Sequence, residues 1–222
     1  KMAKAPKTAY VCNDCGAEFS RWQGQCSACK AWNTISEVRL ISASNSTKND
    51  RFSGYAGETR AKIQTLSEIS LQETPRFTSG FKELDRVLGG GIVPGSAILI
   101  GGHPGAGKST LLLQVMCGLA KNMTALYVTG EESLQQVAMR ANRLNLPTDK
   151  LNMLSETSVE QICNLADQLK PQIIVVDSIQ VMHLSDIQSS PGSVAQVREC
   201  ASFLTRYAKT RQVAIIMVGH VT

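Results

Sequence analysis

The chain has 222 residues, of which 43% are hydrophobic and 18% are charged, and its formal net charge is +5 at pH 7. This length suits one globular domain with a sizeable core and a small additional segment. The sequence contains no apolar run of about 18 residues, and its basic N-terminus lacks the apolar stretch of a secretion signal, so we expect a cytoplasmic protein without a membrane span. The mild positive charge permits nucleic-acid binding without requiring it.

Residues 8–38 contain four of the seven cysteines, as two C-x-x-C pairs separated by ten residues. Each pair places two sulfurs on one side of a turn, and two facing turns complete a tetrahedron around a metal ion. Because a segment of this length cannot bury a stable core, the metal would supply its folding energy. We predict a small four-cysteine zinc knuckle; an iron–sulfur cluster or, less favourably, a dithiol redox pair fits the same residues. The predicted zinc ligands are Cys12, Cys15, Cys26 and Cys29.

The knuckle also contains Trp22 and Trp32, together with Arg21 and Lys30. Basic and aromatic side chains in this combination could stack on single-stranded DNA and pair with its phosphates. The tryptophans could equally form the minimal core of the knuckle, which we expect for at least one of them. Docking to another protein is a third interpretation.

Residues 39–65 are polar with few large apolar side chains, which is typical of a flexible linker. From residue 66 to residue 222, predicted strands alternate with predicted helices. Because the strands are continuous apolar runs separated by helices, we predict an α/β domain with a mainly parallel sheet covered on both faces. The predicted strands are 96–101, 125–129, 151–154, 173–176 and 213–218. We expect the first of them to be buried. The predicted helices are 81–88, 110–121, 133–144, 158–170 and 193–210.

The other three cysteines, Cys117, Cys163 and Cys200, lie in apolar patterns of these predicted helices. We interpret them as small core residues, because free cysteine is commonly buried.

One segment of this domain has the pattern G-x-x-x-x-G-K-S, between the strand at 96–101 and the following helix. Its glycines let the backbone curl so that successive N–H groups point at phosphate oxygens. The lysine would neutralise the terminal phosphates, and the serine hydroxyl would coordinate Mg²⁺. The pattern therefore predicts a site for ATP and Mg²⁺. The residues concerned are Gly102, His103, Pro104, Gly105, Ala106, Gly107, Lys108, Ser109 and Thr110.

Polar side chains follow three of the predicted strands, where parallel strands meet a ligand crevice. Asp177 is expected to hold the Mg²⁺ shell, directly or through water. Glu131 is expected to orient or deprotonate the attacking water, whereas its neighbour Glu132 also suits a position near a helix start. His220 could sense the γ-phosphate, or it could be an ordinary histidine at a strand end.

The phosphate loop, Glu131, Asp177-Ser178 and Gly219-His220, in this order, resemble the RecA/DnaB-type ATPase family. The cysteine cluster and residues 80–91 and 127–133 make the chain most similar to DNA repair members of that family in bacteria. The resemblance implies a RecA-like P-loop NTPase core. It also implies a DNA-dependent ATPase that processes and branch-migrates recombination intermediates as a ring, and it favours the sensor role for His220.

Such proteins continue beyond the position of Thr222 with the rest of the ATPase sheet, a Lys-Asn-Arg-Phe-Gly motif and a Lon-protease-like domain. The resemblance therefore implies an ATPase domain at 66–222 that is truncated on its C-terminal side, and it leaves turnover by this chain alone open. His103 stands where asparagine is expected.

The resemblance also implies that the loop after the magnesium strand, at 182–192, faces the central channel where DNA passes. This loop has no Lys or Arg, so its contacts would come from hydroxyls, amides and backbone N–H groups. The next helix is more basic, but such charges commonly form a solvated face or a subunit contact. DNA binding is thus an expectation from the resemblance.

The predicted function is that of an Mg²⁺-dependent, DNA-stimulated ATP hydrolase in DNA repair and homologous recombination. Its partners would be single-stranded and branched DNA, a recombinase or helicase, and, in the full-length protein, five further copies in a hexamer. Two alternatives come from other classes. A small-molecule kinase would need an arginine-rich lid, which the sequence does not display. A zinc-finger adaptor would dock a repair partner under nucleotide control without efficient hydrolysis.

Overall fold

The computed structural model describes residues 7–40, 63–69 and 75–221. Most of the predicted linker at 39–65 therefore lies outside the described residues. Within the described residues, no helix combines the length and the apolar character needed to cross a membrane.

The N-terminal segment is a small antiparallel sheet with strand order β2-β1-β3. The sequence predicted two cysteine turns here but not the strands that hold them. The first cysteine pair begins at the end of β1, and the second lies between β2 and β3. The strands are β1 (Lys7–Cys12), β2 (Glu18–Phe19) and β3 (Ile35–Leu40).

The larger part of the chain is a five-stranded parallel sheet with strand order β4-β8-β7-β5-β6. This arrangement confirms the predicted α/β class, and each predicted strand is present. The strands are β4 (Ala97–Gly102), β5 (Ala125–Thr129), β6 (Asn152–Ser155), β7 (Ile173–Asp177) and β8 (Ala214–His220). The helices are α1 (Lys82–Val87), α2 (Lys108–Leu119), α3 (Leu134–Arg143), α4 (Val159–Leu169) and α5 (Val194–Arg211).

Helices cover both faces of the sheet, because the central strands are apolar on both sides. The first apolar cluster joins α2 and α3 to residues such as Tyr127 and Val175, and the second joins α4 and α5 to residues such as Leu126 and Ile174. The three cysteines outside the knuckle are buried in these clusters as predicted. Burial raises the pKa of Cys163 and of Cys200 to about 12, so both thiols stay protonated and unreactive.

Strand β4 differs from the prediction of a buried strand. It is an edge of the sheet and pairs only with β8 among the described strands, and its Leu99 is 65% exposed. An apolar run predicts a strand, but whether a second strand covers it depends on the strand order, which periodicity does not reveal.

Two backbone features bring the predicted site residues together at one edge of this sheet. Parallel pairing aligns the carboxyl ends of four neighbouring strands, so that Gly102 lies beside His220 and Thr129 lies beside Asp177. Helix α3 then begins immediately beyond β5. Ser133 caps it, its hydroxyl accepting the backbone N–H of Gln136.

Gly130 follows β5, and a Cβ there would lie 2.5 Å from Val181 Cγ2 and 3.0 Å from Met182 Cε. We therefore expect Gly130→Ala to destabilise the fold by about 1–3 kcal/mol, since branched and packed side chains would have to move. Urea unfolding followed by circular dichroism measures this free energy.

Gly118, on the exposed side of α2, is the matched control, because a Cβ there meets nothing within 4 Å. Gly118→Ala should be neutral or stabilising by up to about 1 kcal/mol, since alanine favours a helix. Equal effects of the two substitutions would contradict the close packing around Gly130.

Candidate functional site

The phosphate-loop segment connects the end of β4 to the start of α2. Gly105 and Gly107 have φ values of +80° and +84°, a left-handed backbone that glycine adopts without strain. Lys108 is buried, and its Nζ donates hydrogen bonds to the carbonyls of Gly102 and His103, at 2.7 Å each. The ammonium is therefore held against the loop by the loop's own carbonyls, and its contact with phosphates stays a prediction. The side chain of His103 is exposed.

A cavity of about 240 Å³ lies against this loop. Its walls come from the loop, from the first turn of α2 and from the ends of β5 and β8. Polar and charged groups from three separate parts of the sequence thus converge on one space, which is the usual character of a ligand site. The lining residues are Gly105, Gly107, Lys108, Ser109, Thr110, Glu132, Arg140 and His220.

Asp177 ends β7 and is only 3% exposed. Its Oδ2 accepts a hydrogen bond of 2.7 Å from the buried hydroxyl of Tyr127 on the neighbouring strand. Burial, followed by the charge of Asp177, holds the pKa of Tyr127 well above its ordinary value, so the hydroxyl remains a donor. This contact orients a carboxylate that could hold a cation.

Glu131 connects the ends of three strands. Its Oε1 accepts a hydrogen bond from the Ser178 hydroxyl, and its two oxygens lie 3.0 and 3.3 Å from Nε2 of His220. The His220 backbone carbonyl in turn accepts a hydrogen bond of 3.1 Å from the side chain of Gln180. The two residues for which the sequence predicted water activation and phosphate sensing are therefore in direct contact.

Glu132, rather than Glu131, lines the cavity. Its two carboxylate oxygens lie 2.8 and 2.6 Å from Nη1 of Arg140 on α3. Its backbone N–H donates to the hydroxyl of Thr129, which holds the turn between β5 and α3. Glu132 directly precedes the residue that caps the helix, and its side chain forms this ion pair.

Tyr127 and Arg140 are not among the site residues predicted from the sequence. In both cases the sequence places a polar group within an apolar pattern. Tyr127 places a hydroxyl in the middle of a buried strand, between apolar neighbours, where a buried hydroxyl needs a partner. Arg140 lies on the buried stripe of α3 with Val137 and Ala141, where a cation also needs a partner.

The four predicted zinc ligands come together in the N-terminal segment, with all sulfurs within 4.8 Å of one another. The Cys12–Cys29 and Cys15–Cys26 sulfurs are 3.7 and 3.6 Å apart. A tetrahedral zinc with Zn–S bonds of about 2.3 Å requires sulfurs about 3.8 Å apart, so the geometry fits.

The charges of the cluster also favour a cation. Burial opposes ionisation of Cys12, but hydrogen bonds from Thr34 and from the backbone of Cys15 and Asp14 lower its pKa to about 6. At Cys29 a backbone hydrogen bond from Ala31 favours the thiolate, yet desolvation and the neighbouring thiols outweigh it and raise its pKa to about 12. Four thiolates at this distance need a cation to coexist.

The prediction that at least one of the two tryptophans belongs to the core of the knuckle is wrong. Trp22 is 58% exposed and Trp32 is 69% exposed, whereas the small core consists of Cys12, Cys26 and Ile35 with partly buried strand residues. The strands supply enough apolar groups around the metal cluster, so neither indole is needed inside. Both rings instead lie close to Gly24, where a Cβ would be 3.8 Å from the Trp22 ring and 3.9 Å from the Trp32 ring.

The segment at 182–192 is tied to the core by two side chains. Gln196 of α5 is buried; its amide donates to the carbonyls of Ile187 and Ser189 and accepts from the N–H of Leu184. Glu160 of α4 accepts two hydrogen bonds from Ser185. The exposed positions between these anchors are polar, or are proline and glycine. That this loop faces DNA stays a prediction.

The comparisons with known proteins agree with both parts of the chain. A family model described as the AAA domain matches residues 63–222, and a zinc-ribbon model described as the rubredoxin metal binding domain matches residues 10–37. The second match supports zinc at the four cysteines.

Curated relatives match the whole chain. The DNA repair protein RadA of Haemophilus influenzae is 94% identical to it over 221 residues, and those of Escherichia coli and Bacillus subtilis are 72% and 45% identical. Each alignment covers 100% of this chain and 48% of the relative. The chain therefore spans about half the length of the curated relatives it matches. These matches confirm the predicted resemblance to bacterial DNA repair proteins.

The cysteine cluster leads to a prediction about metal content. We expect the purified chain to contain equimolar zinc, and Cys26→Ser to lose it, because three thiolates bind zinc far more weakly than four. Mass spectrometry of metals after gel filtration measures the content.

Cys117→Ala, at a buried cysteine outside the cluster, is the control and should keep its zinc. Zinc retained by Cys26→Ser would contradict the assignment, and iron in place of zinc would favour the iron–sulfur alternative.

Proposed function

The chain belongs to the AAA domain family, and we propose that it binds ATP with Mg²⁺ and hydrolyses the nucleotide in the course of DNA repair. The observation that carries this proposal is the convergence of Lys108, Glu131, Asp177 and His220 at the aligned ends of four parallel strands. Each of these groups has a task in phosphoryl transfer, and a loop that curls around phosphates lies beside them.

In this proposal the segment Gly102–Thr110 holds the triphosphate, with its backbone N–H groups around the phosphates and Lys108 at the terminal ones. The Ser109 hydroxyl and the Asp177 carboxylate are the groups of this chain that would hold Mg²⁺. When bound, the ion would neutralise the negative charge of the phosphates. The donor set of one hydroxyl and one buried carboxylate suits a hard cation that keeps several waters.

Glu131 would activate the attacking water, and His220 would sense the γ-phosphate. A carboxylate can accept a proton from water only if it is held within hydrogen-bond reach of it. Ser178 and His220 both restrain Glu131. Because His220 ends β8, this contact links β8 to Glu131, the proposed base. A change at the γ-phosphate that moves His220 would therefore move Glu131.

The same contacts favour a second candidate function. Since Glu131 already has hydrogen-bond partners at both oxygens, the chain could bind nucleotide and change shape without efficient turnover. It would then act as a zinc-finger adaptor that docks a DNA-repair partner. Tight nucleotide binding without phosphate release distinguishes this adaptor from the ATPase.

The partners remain part of the proposal. We infer single-stranded and branched DNA, a recombinase or helicase, and a homohexameric full-length protein that branch-migrates recombination intermediates. The support is that the relatives are named DNA repair proteins and that the exposed part of the 182–192 loop can make hydroxyl, amide and backbone contacts. Such work on a bacterial chromosome would take place in the cytoplasm.

Substitutions at the site test the nucleotide chemistry. Lys108→Ala should abolish both ATP binding and turnover, whereas Glu131→Gln should keep binding and lower turnover by about 10²–10⁴-fold, because it removes only the proton acceptor. Binding of a fluorescent ATP analogue and release of phosphate are measured in this chain and in the full-length Haemophilus influenzae relative.

Lys121→Ala, at an exposed lysine just beyond α2, is the control and should behave as the parent does. Turnover in Lys108→Ala equal to that of the parent would end the ATPase proposal. Circular dichroism verifies that each variant is folded.

The DNA partner is tested separately in the full-length relative. We expect single-stranded and branched DNA to raise the rate of phosphate release by this relative. DNA bound at the 182–192 loop would shift Gln180, which is hydrogen-bonded to His220, and His220 would then move Glu131. Blunt duplex DNA provides the comparison. If no DNA changes the rate while ATP still turns over, the DNA dependence is wrong and the hydrolase assignment stands.

A further inference from the structure

Arg140 lies at the edge of the proposed nucleotide site but has no role in the mechanism described so far. Its side chain is 15% exposed, and its neighbours on α3, Val137 and Ala141, are buried. It lines the same cavity as Lys108 and Ser109. The cavity is therefore lined by two cationic side chains, those of Lys108 and Arg140.

The guanidinium of Arg140 uses only part of its hydrogen-bonding capacity. Nη1 donates to both oxygens of Glu132, while Nε and Nη2 are buried and have no hydrogen-bond partner within the described part of the chain. A guanidinium carries five N–H groups in a planar fork, and burying them unpaired is unfavourable. Because both atoms are buried, they do not face the cavity, and a ligand there would meet the guanidinium at another edge.

The charge around Arg140 keeps this donor permanently cationic. Burial acts against the charge, but the hydrogen bonds and the charge of Glu132 outweigh it and hold the pKa of Arg140 above its ordinary value. The charge of Asp177 acts in the same direction. Among the described residues, Glu132 alone is hydrogen-bonded to the guanidinium, and it thereby fixes where the fork points.

The position of Arg140 indicates which phosphate it would meet. The loop amides surround the inner phosphates, and the loop lysine reaches the outer ones. Glu132, Arg140 and His220 line the cavity from the carboxyl ends of the strands and from the helix that follows β5. His220 also contacts Glu131, the proposed base, so these groups lie near the place where the terminal phosphate would react.

We propose that Arg140 binds the terminal phosphate of the nucleotide through the part of its guanidinium that borders the cavity, with Glu132 as the residue that positions the guanidinium. This inference rests on the proposed function of the same site. Since a nucleoside diphosphate lacks the terminal phosphate, Arg140 would set the preference of the site for ATP over ADP. The proposal places this recognition within one chain rather than across a subunit interface.

A comparison of two ligands tests the proposal. We measure the affinities of Mg²⁺–ATPγS and Mg²⁺–ADP by titration calorimetry for the parent, Arg140→Ala and Arg140→Lys. Arg140→Ala should weaken ATPγS binding about 10- to 100-fold, the loss expected for a hydrogen bond between charged groups. ADP binding should change by less than about twofold, and Arg140→Lys should recover only part of the loss because an ammonium lacks the fork.

Arg143→Ala is the matched control, since Arg143 is exposed on the same helix and should leave both affinities unchanged. Equal weakening of the two ligands, or no weakening, would overturn the inference and leave Arg140 as a structural partner of Glu132. If Arg140→Ala fails to fold, Arg140→Lys and Glu132→Gln take its place. A reduced ATPγS-over-ADP ratio in these two supports the inference, and an unchanged ratio overturns it.

The outcome for the parent separates this inference from the proposed function. If the parent binds neither nucleotide, the proposed function fails, and the inference fails with it. If the parent binds both and only the Arg140 result is negative, the ATP site stands without this residue.

Discussion

The parallel pairing of β4, β8, β7 and β5 is the constraint on which the site depends. Parallel strands end at the same edge of a sheet, and here the register sets Gly102 beside His220 and Thr129 beside Asp177. The phosphate loop and the strand-end acids are far apart in sequence, and only this alignment brings them together. A sheet with one of these strands reversed would separate the loop from the acids.

Each acid of the site has its own hydrogen-bond donor, and this pairing gives the edge its geometry. Asp177 is held by Tyr127, Glu131 by Ser178 and His220, and Glu132 by Arg140. Buried or half-buried carboxylates are costly without such partners. The partners also fix directions, so that three neighbouring acids can serve different purposes instead of acting as one diffuse negative patch.

The two parts of the chain are stabilised in different ways. The AAA domain buries continuous apolar strands between two layers of helices, so apolar burial is the main source of its stability. The N-terminal segment has only a few buried side chains around four sulfurs, so its folding energy must come largely from metal. This division leaves Trp22 and Trp32 on the surface of the small segment, where they are available to a partner.

The sequence by itself determined the features that depend on local order: the alternation of strands and helices, the phosphate loop and the four sulfur ligands. These follow from periodicity and from fixed spacing between neighbours in the chain. Only the tertiary structure decided that β4 is the edge among the described strands, that the tryptophans lie outside, that Glu131 contacts His220, and that Tyr127 and Arg140 belong to the site. Each of these depends on which distant segments become neighbours, and strand order and side-chain packing, rather than local pattern, determine that.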